Sequence, residues 1–296
     1  MHSSLFFLLL VLPLAAGTFS DGFRCFLRSK FGAEVEAKLT RLDLGPRGSF
    51  GGGERGFAAK TKQEDSFDRR SFRSFSHTPV VIVHGLQNCA GGYHEAFAEW
   101  ARRGWTPSEI FATSYGPPGV LVDVTNILAC DYVRQVRQLI VAVHAYTRSP
   151  VFLIGNSLGG PISRKAVLGG ECVDTGEQLG GPLTEIVAGF LGVAGAMRGS
   201  LLCDQPLAAA LPICDRRLGV AVDSEAHYEG GRVLILESRG DDWVGFETPA
   251  GERLCEVADA DRTVILKEPL NHDDTIFTTQ ALQFDLLVSN APYPAV

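Results

Sequence analysis

The sequence has no Asn-x-Ser/Thr triplet, so it offers no acceptor for N-glycosylation. It has no Cys-x-x-Cys pair and no two histidines at zinc-ligand spacing, which argues against a structural zinc motif. Positive charge is not in excess: 27 Lys and Arg stand against 34 Asp and Glu, a formal net charge of −7. Nucleic-acid-binding surfaces are basic, so nucleic acid is not an expected partner. No run after the N-terminus reaches the roughly 20 apolar residues of a membrane-spanning helix, and no integral membrane segment is expected. The 33 glycines lack the three-residue period of collagen, and there are no internal repeats. What is present is an ordinary globular composition, 45% hydrophobic and 21% charged over 296 residues, enough for one large α/β domain without a forced split.

The N-terminus supplies the one long apolar stretch. Leu5 to Leu14 is almost purely apolar and is followed by Ala15, Ala16 and Gly17. A short apolar run followed by small residues reads as a secretory signal peptide over residues 1–17, although no Lys or Arg precedes it. Cleavage is expected at or near Gly17, and the mature protein is expected to be secreted. Disulfides persist in that compartment. The seven cysteines are an odd number, so one thiol is left over or pairs between chains. Cys203 and Cys214 enclose only ten residues and are the first expected pair.

Residues 18–78 carry no strong strand pattern. A short helix is expected over Ala33 to Leu42, irregular chain over the Gly-rich 45–56, and a charged stretch over 60–77. We read 18–78 as an extension packed on the core formed by 79–296. From Pro79 the grammar changes. PVVIVH is a continuous β-branched run, as in a strand buried on both faces. Val133, Val136, Ile140 and Val143 recur at helical spacing within Cys130–Tyr146. Further strands are expected at 109–114, 150–154, 185–193, 232–237 and 262–267. Helices are expected at 95–103, 162–168 and 274–287. Strand and helix alternate, which implies a mostly parallel central sheet with helices on both faces.

The sharpest local signal is Gly155-Asn156-Ser157-Leu158-Gly159, set between the strand VFLI and a helix. G-x-S-x-G in that context is a nucleophile elbow, which lifts the serine hydroxyl clear of the sheet. The flanking glycines are needed because a Cβ there would strike the adjoining strand and helix. The helix N-terminus behind Ser157 favours developing negative charge. A serine hydroxyl needs a base. Only His227 and His272 follow it. His272, after a late strand and before a helix, fits the base; His227 reads as a surface-loop residue. The acid is expected just past the strand RVLILE, at Asp241 in preference to Asp242, while Asp273 and Asp274 are candidate caps of the last helix. An oxyanion needs two backbone N–H groups. These are Leu158, after the nucleophile, and Leu86 in the turn after VVIVH, with Gln87 the alternative. His84 reads as a structural residue of that turn. No cofactor and no metal are implied.

Together VVIVHGL, GNSLGG, SRGDDWVG and LNHDD resemble the α/β-hydrolase fold. More narrowly, LTRLDLGPRGSFGGG, CDYVRQVRQLIVAVHAYT, SRKAVLGGECVDTGEQLG and VAGAMRGSLLC make the chain similar to the secreted class 2 triacylglycerol lipases, from about Phe23 to the last helix. The resemblance implies Ser157 as nucleophile, Asp241 as acid and His272 as base. It also implies hydrolysis of acylglycerols or related esters, without a cofactor and at a lipid–water interface. The chain departs from the pattern at Asn156, where the elbow more often carries His or Tyr. Cys89, beside the oxyanion turn, is the candidate unpaired thiol. The segment from Ala194 to Tyr228 interrupts the alternation and reads as a wall of the acyl pocket or an ordinary packed excursion. Two other readings are a carboxylesterase for short soluble esters and a secreted lipid-binding protein on the same scaffold, since fold does not dictate function.

Overall fold

The computed structural model of the chain describes residues 18–53, 76–116, 129–205, 214, 222–223 and 225–288. The expected signal peptide, much of the Gly-rich and charged stretch, and part of the 194–228 excursion lie outside them.

The chain opens with two helices, α1 (Asp21–Phe31) and α2 (Ala33–Thr40). α1 was not among the expected elements. Its signals are local: the Ser20 hydroxyl caps it by accepting the Phe23 N–H, and Phe23, Phe26 and Leu27 bury one face. The sequence then alternates: β1 (Ser49–Phe50), β2 (Val80–Val83), α3 (His94–Arg102), β3 (Ile110–Thr113), α4 (Cys130–Thr147), β4 (Val151–Asn156) and α5 (Gly159–Leu168). It continues with β5 (Val187–Val193), β6 (Val233–Glu237), β7 (Arg262–Ile265), α6 (His272–Phe277) and α7 (Gln280–Val288). The single helix expected over 274–287 is thus two. The Thr278 and Thr279 hydroxyls bond back to Asp274 O and Thr275 O at the break, a local competition that shortens helices.

The seven strands form one sheet in the order β1-β3-β2-β4-β5-β6-β7. All neighbours are parallel except β1, which runs antiparallel to β3. Successive residues along each parallel strand face opposite layers. Val81, Val83, Leu153, Phe190 and Ile235 join α1, α4 and α5 in one buried cluster. Val80, Ile82, Ile154, Leu191 and Leu234 join α3 and α7 in the other. This two-sided burial is why the strands read as unbroken apolar runs. Each large side chain so buried contributes roughly 1.5–3 kcal/mol of transfer free energy. Trp100, Trp105 and Phe284 meet edge to face, with centroids 4.8 to 5.4 Å apart, and anchor α7 to α3.

Two disulfides are formed. Cys203–Cys214 is the expected short bridge; Cys130–Cys172, spanning 42 residues, ties the start of α4 to the loop after α5. Cys25, Cys89 and Cys255 are free, three thiols rather than one. Among the described residues no helix is long and apolar enough to cross a membrane.

Candidate active site

In a parallel sheet all carboxyl ends of the strands lie on one edge, and the loops there collect side chains from distant parts of the sequence. Four such loops matter here, after β2, β4, β6 and β7.

Ser157 follows β4 directly. Its φ is +54°, in the left-handed region, where a non-glycine residue is strained by about 1–3 kcal/mol. The turn is held by Ser157 N–H donating to Val193 O at 2.9 Å and by Ser157 O accepting from Gly160 N–H at 3.0 Å. The glycines on either side are required by space. A Cβ on Gly155 would stand 2.7 Å from Gly159 O, and one on Gly159 would stand 2.6 Å from His84 O. Gly85, after β2, lies against the serine: a Cβ there would be 2.7 Å from Ser157 Cβ and 3.2 Å from Ser157 Oγ. The elbow and the turn after β2 are therefore in contact. Asn156 is buried beneath them, its Nδ2 donating to Val83 O at 3.4 Å.

The loops after β6 and β7 bring Asp241 and His272 together. His272 Nδ1 lies 2.7 Å from Asp241 Oδ2, and both side chains are buried. The other carboxylate oxygen, Oδ1, accepts the N–H groups of Trp243, Val244 and Gly245 at 3.0, 2.8 and 3.2 Å. That cradle fixes the carboxylate plane and leaves Oδ2 for the imidazole. Asp242 does something different: its Oδ1 accepts the backbone N–H of His272 at 3.1 Å. Neither Asp273 nor Asp274 caps α6; Asn271 does, accepting the Asp274 N–H at 2.8 Å. His227 is exposed, in a loop before β6. With Nδ1 turned to Asp241, Nε2 is the imidazole nitrogen available to a serine. Among the described residues no hydrogen bond joins Ser157 Oγ to the imidazole; such bonds often form fully only with substrate in place.

Leu86 and Leu158 flank the serine from two loops. Among the described residues no protein acceptor takes either N–H. Leu158 is buried, and a buried N–H without an acceptor costs about as much as a lost hydrogen bond. Gln87, the alternative, has φ +57° in the turn that Asn88 N–H closes onto Gly85 O at 3.4 Å.

His84 is buried and stacked on Tyr115, centroids 4.0 Å apart and planes 7° from parallel. Its Nδ1 is 2.8 Å from Gly85 O, and its Nε2 accepts the Tyr115 N–H at 3.1 Å. Burial, with the Arg41 charge beside it, lowers its pKa from 6.5 to about 4, so the imidazole is neutral at physiological pH.

Cys130, Cys172 and Asp174 form a close group of the kind that can ligate a metal. Two of its donors are spent on the disulfide, which leaves no ligand set there. Leu201 and Leu202, in the excursion read from sequence as a wall of the acyl pocket or an ordinary packed stretch, and Trp243 are 39%, 48% and 52% exposed. All three sit beside the acid loop. Leu201 N–H donates to Val244 O at 2.8 Å, and Ser200 Oγ donates to Trp243 O at 2.7 Å.

A family model described as lipase (class 2) matches residues 77–285. No curated protein sequence matches the chain. Among solved structures, the mature form of a Bacillus licheniformis lipase superposes with a TM-score of 0.50 at 14% identity, covering 73% of this chain and 96% of that one. Aspergillus fumigatus lipase B superposes with a TM-score of 0.53 at 16% identity, covering 76% of this chain and 56% of that one. At such identities the likeness concerns the fold, which is that of the α/β-hydrolases.

Proposed function

Because the chain belongs to the class 2 lipase family, we propose that it is a secreted serine hydrolase cleaving acylglycerols through Ser157, His272 and Asp241. The observation that carries the triad is the buried Asp241–His272 pair, 2.7 Å apart, on the sheet edge that also holds the strained serine. In this reading His272 Nε2 takes the Ser157 proton as Oγ attacks the ester carbonyl. Asp241 holds the tautomer and stabilises the imidazolium. The Leu86 and Leu158 N–H groups receive the oxyanion; each such donor is worth about 2.7–4 kcal/mol of barrier. His272 then protonates the leaving alcohol, and water repeats the sequence on the acyl-enzyme.

Secretion is supported by the apolar leader before Gly17 and by the two disulfides. Action at a lipid–water interface is supported by Leu201, Leu202 and Trp243, apolar side chains held in the open beside the acid loop. Clustered exposed apolar side chains are a mark of surfaces that meet lipid or another protein.

The test is hydrolysis of a chain-length series of p-nitrophenyl esters and of emulsified triglyceride, by wild type, Ser157→Ala and Trp243→Ser. We expect activity reaching emulsified long chains, lost in Ser157→Ala. Trp243→Ser, which keeps the backbone N–H to Asp241, should lose rate on the emulsion and keep it on dissolved ester. Activity confined to short dissolved esters would replace this reading with a carboxylesterase. A folded wild type silent on every ester would favour a lipid-binding protein.

A further inference from the structure

The N–H of Leu86 belongs to the same peptide unit as the C=O of Gly85. That peptide is trans, as are all peptides in the described structure, so the two groups point in opposite directions. Whatever holds Gly85 O therefore aims Leu86 N–H. Two donors hold it: the Asn88 N–H, across the turn at 3.4 Å, and, more closely, the ring of His84. Its Nε2 accepts the Tyr115 N–H, so the proton is on Nδ1, which donates to Gly85 O at 2.8 Å. Tyr115 holds His84 in two further ways: by the ring stack and by its hydroxyl, which donates to His84 O at 2.6 Å. Tyr115 is held in turn. Arg41 Nη1 donates to both of its neighbours, Ser114 O and Gly116 O, each at 2.8 Å. The rest of the Arg41 guanidinium is clamped on Asp43 at 2.9 to 3.3 Å. Arg41 itself has φ +54° at the end of α2 and lies outside the matched residues 77–285.

We propose that His84 is a positioning residue: braced by Tyr115 and, through it, by Arg41, it fixes the Gly85–Leu86 peptide plane and so aims the Leu86 N–H at the substrate oxyanion. The inference rests on the reading of Leu86 as an oxyanion donor in a Ser157-dependent hydrolase.

The experiment compares an ester with its thionoester, in which sulfur replaces the carbonyl oxygen. Sulfur is a weak hydrogen-bond acceptor, so the thionoester draws little help from the oxyanion site while using the same serine and base. His84→Leu should lower kcat on the oxygen ester by about 100-fold, with KM little changed and a much smaller loss on the thionoester. His84→Asn, whose amide N–H can stand in for Nδ1–H, should recover most of the loss. Tyr115→Phe deletes one oxygen and carries the test if His84→Leu does not fold; it should also lower the oxygen-to-thiono ratio of kcat. Equal losses on both esters, or an unchanged ratio in Tyr115→Phe, would overturn the proposal. Failure of the underlying reading looks different: Ser157→Ala would keep its activity on both substrates.

Discussion

Residues in this protein are informative where their conformation costs something. Ser157 takes a left-handed backbone at φ +54° although it carries a Cβ, and Gly155, Gly159 and Gly85 make the room. The G-x-S-x-G pattern was legible because those glycines are needed whatever the rest of the chain does. His84 was legible as structural, but its partners were not, because Tyr115 and Arg41 lie 31 and 43 positions away and share no pattern with it. His84 also makes a pH prediction. Its folded pKa is about 4 against an ordinary 6.5, so the unfolded chain takes up this proton first. The stability it confers is full above about pH 6.5 and is lost as pH falls towards 4, by about 3 kcal/mol in total. Denaturant unfolding at pH 7, 5.5 and 4.5 should show a shallower decline in His84→Asn than in wild type. Parallel declines would mean that His84 is not held neutral by the fold.

Elements differ in how far they announce themselves. β2, β4, β5 and β6 were readable because both of their faces are buried, so nearly every position is apolar. β1 is two residues long and owes its existence to β3, some 60 positions later; no local pattern could reveal it. α1 was not expected, although its Ser20 cap and the spacing of Phe23, Phe26 and Leu27 are local. The loop after β6 shows the limit most clearly. Asp241 and Asp242 are adjacent, and spacing only tilts the choice. The fold separates them: Asp241 faces the His272 ring, whereas Asp242 holds the His272 backbone. We therefore expect Asp241→Asn to lower kcat on a dissolved ester by about 10⁴-fold, as removal of the orienting charge does in such triads. Asp242→Asn should cost less than about tenfold, the scale of one backbone hydrogen bond. Equal losses would show that the two carboxylates share the work.

The whole molecule is one seven-stranded sheet whose carboxyl edge gathers loops from residues 84 to 272. The alternation of strands and helices foretold that edge. It did not foretell that Leu201 and Leu202, in the 194–228 excursion, stand exposed beside Trp243, because that placement depends on hydrogen bonds from Ser200 and Leu201 to the acid loop. The Cys130–Cys172 bridge, 42 positions apart, was equally hidden, since seven cysteines allow many pairings. Catalysis at this edge is assigned to Ser157. The most direct test is to treat the folded protein with a fluorophosphonate, which phosphonylates activated serines, and to locate the adduct by peptide mass spectrometry. One adduct is expected, on the peptide containing Ser157, with ester hydrolysis lost in step and no adduct in Ser157→Ala. An adduct on another serine, or ester hydrolysis that continues in the fully labelled protein, would contradict the assignment.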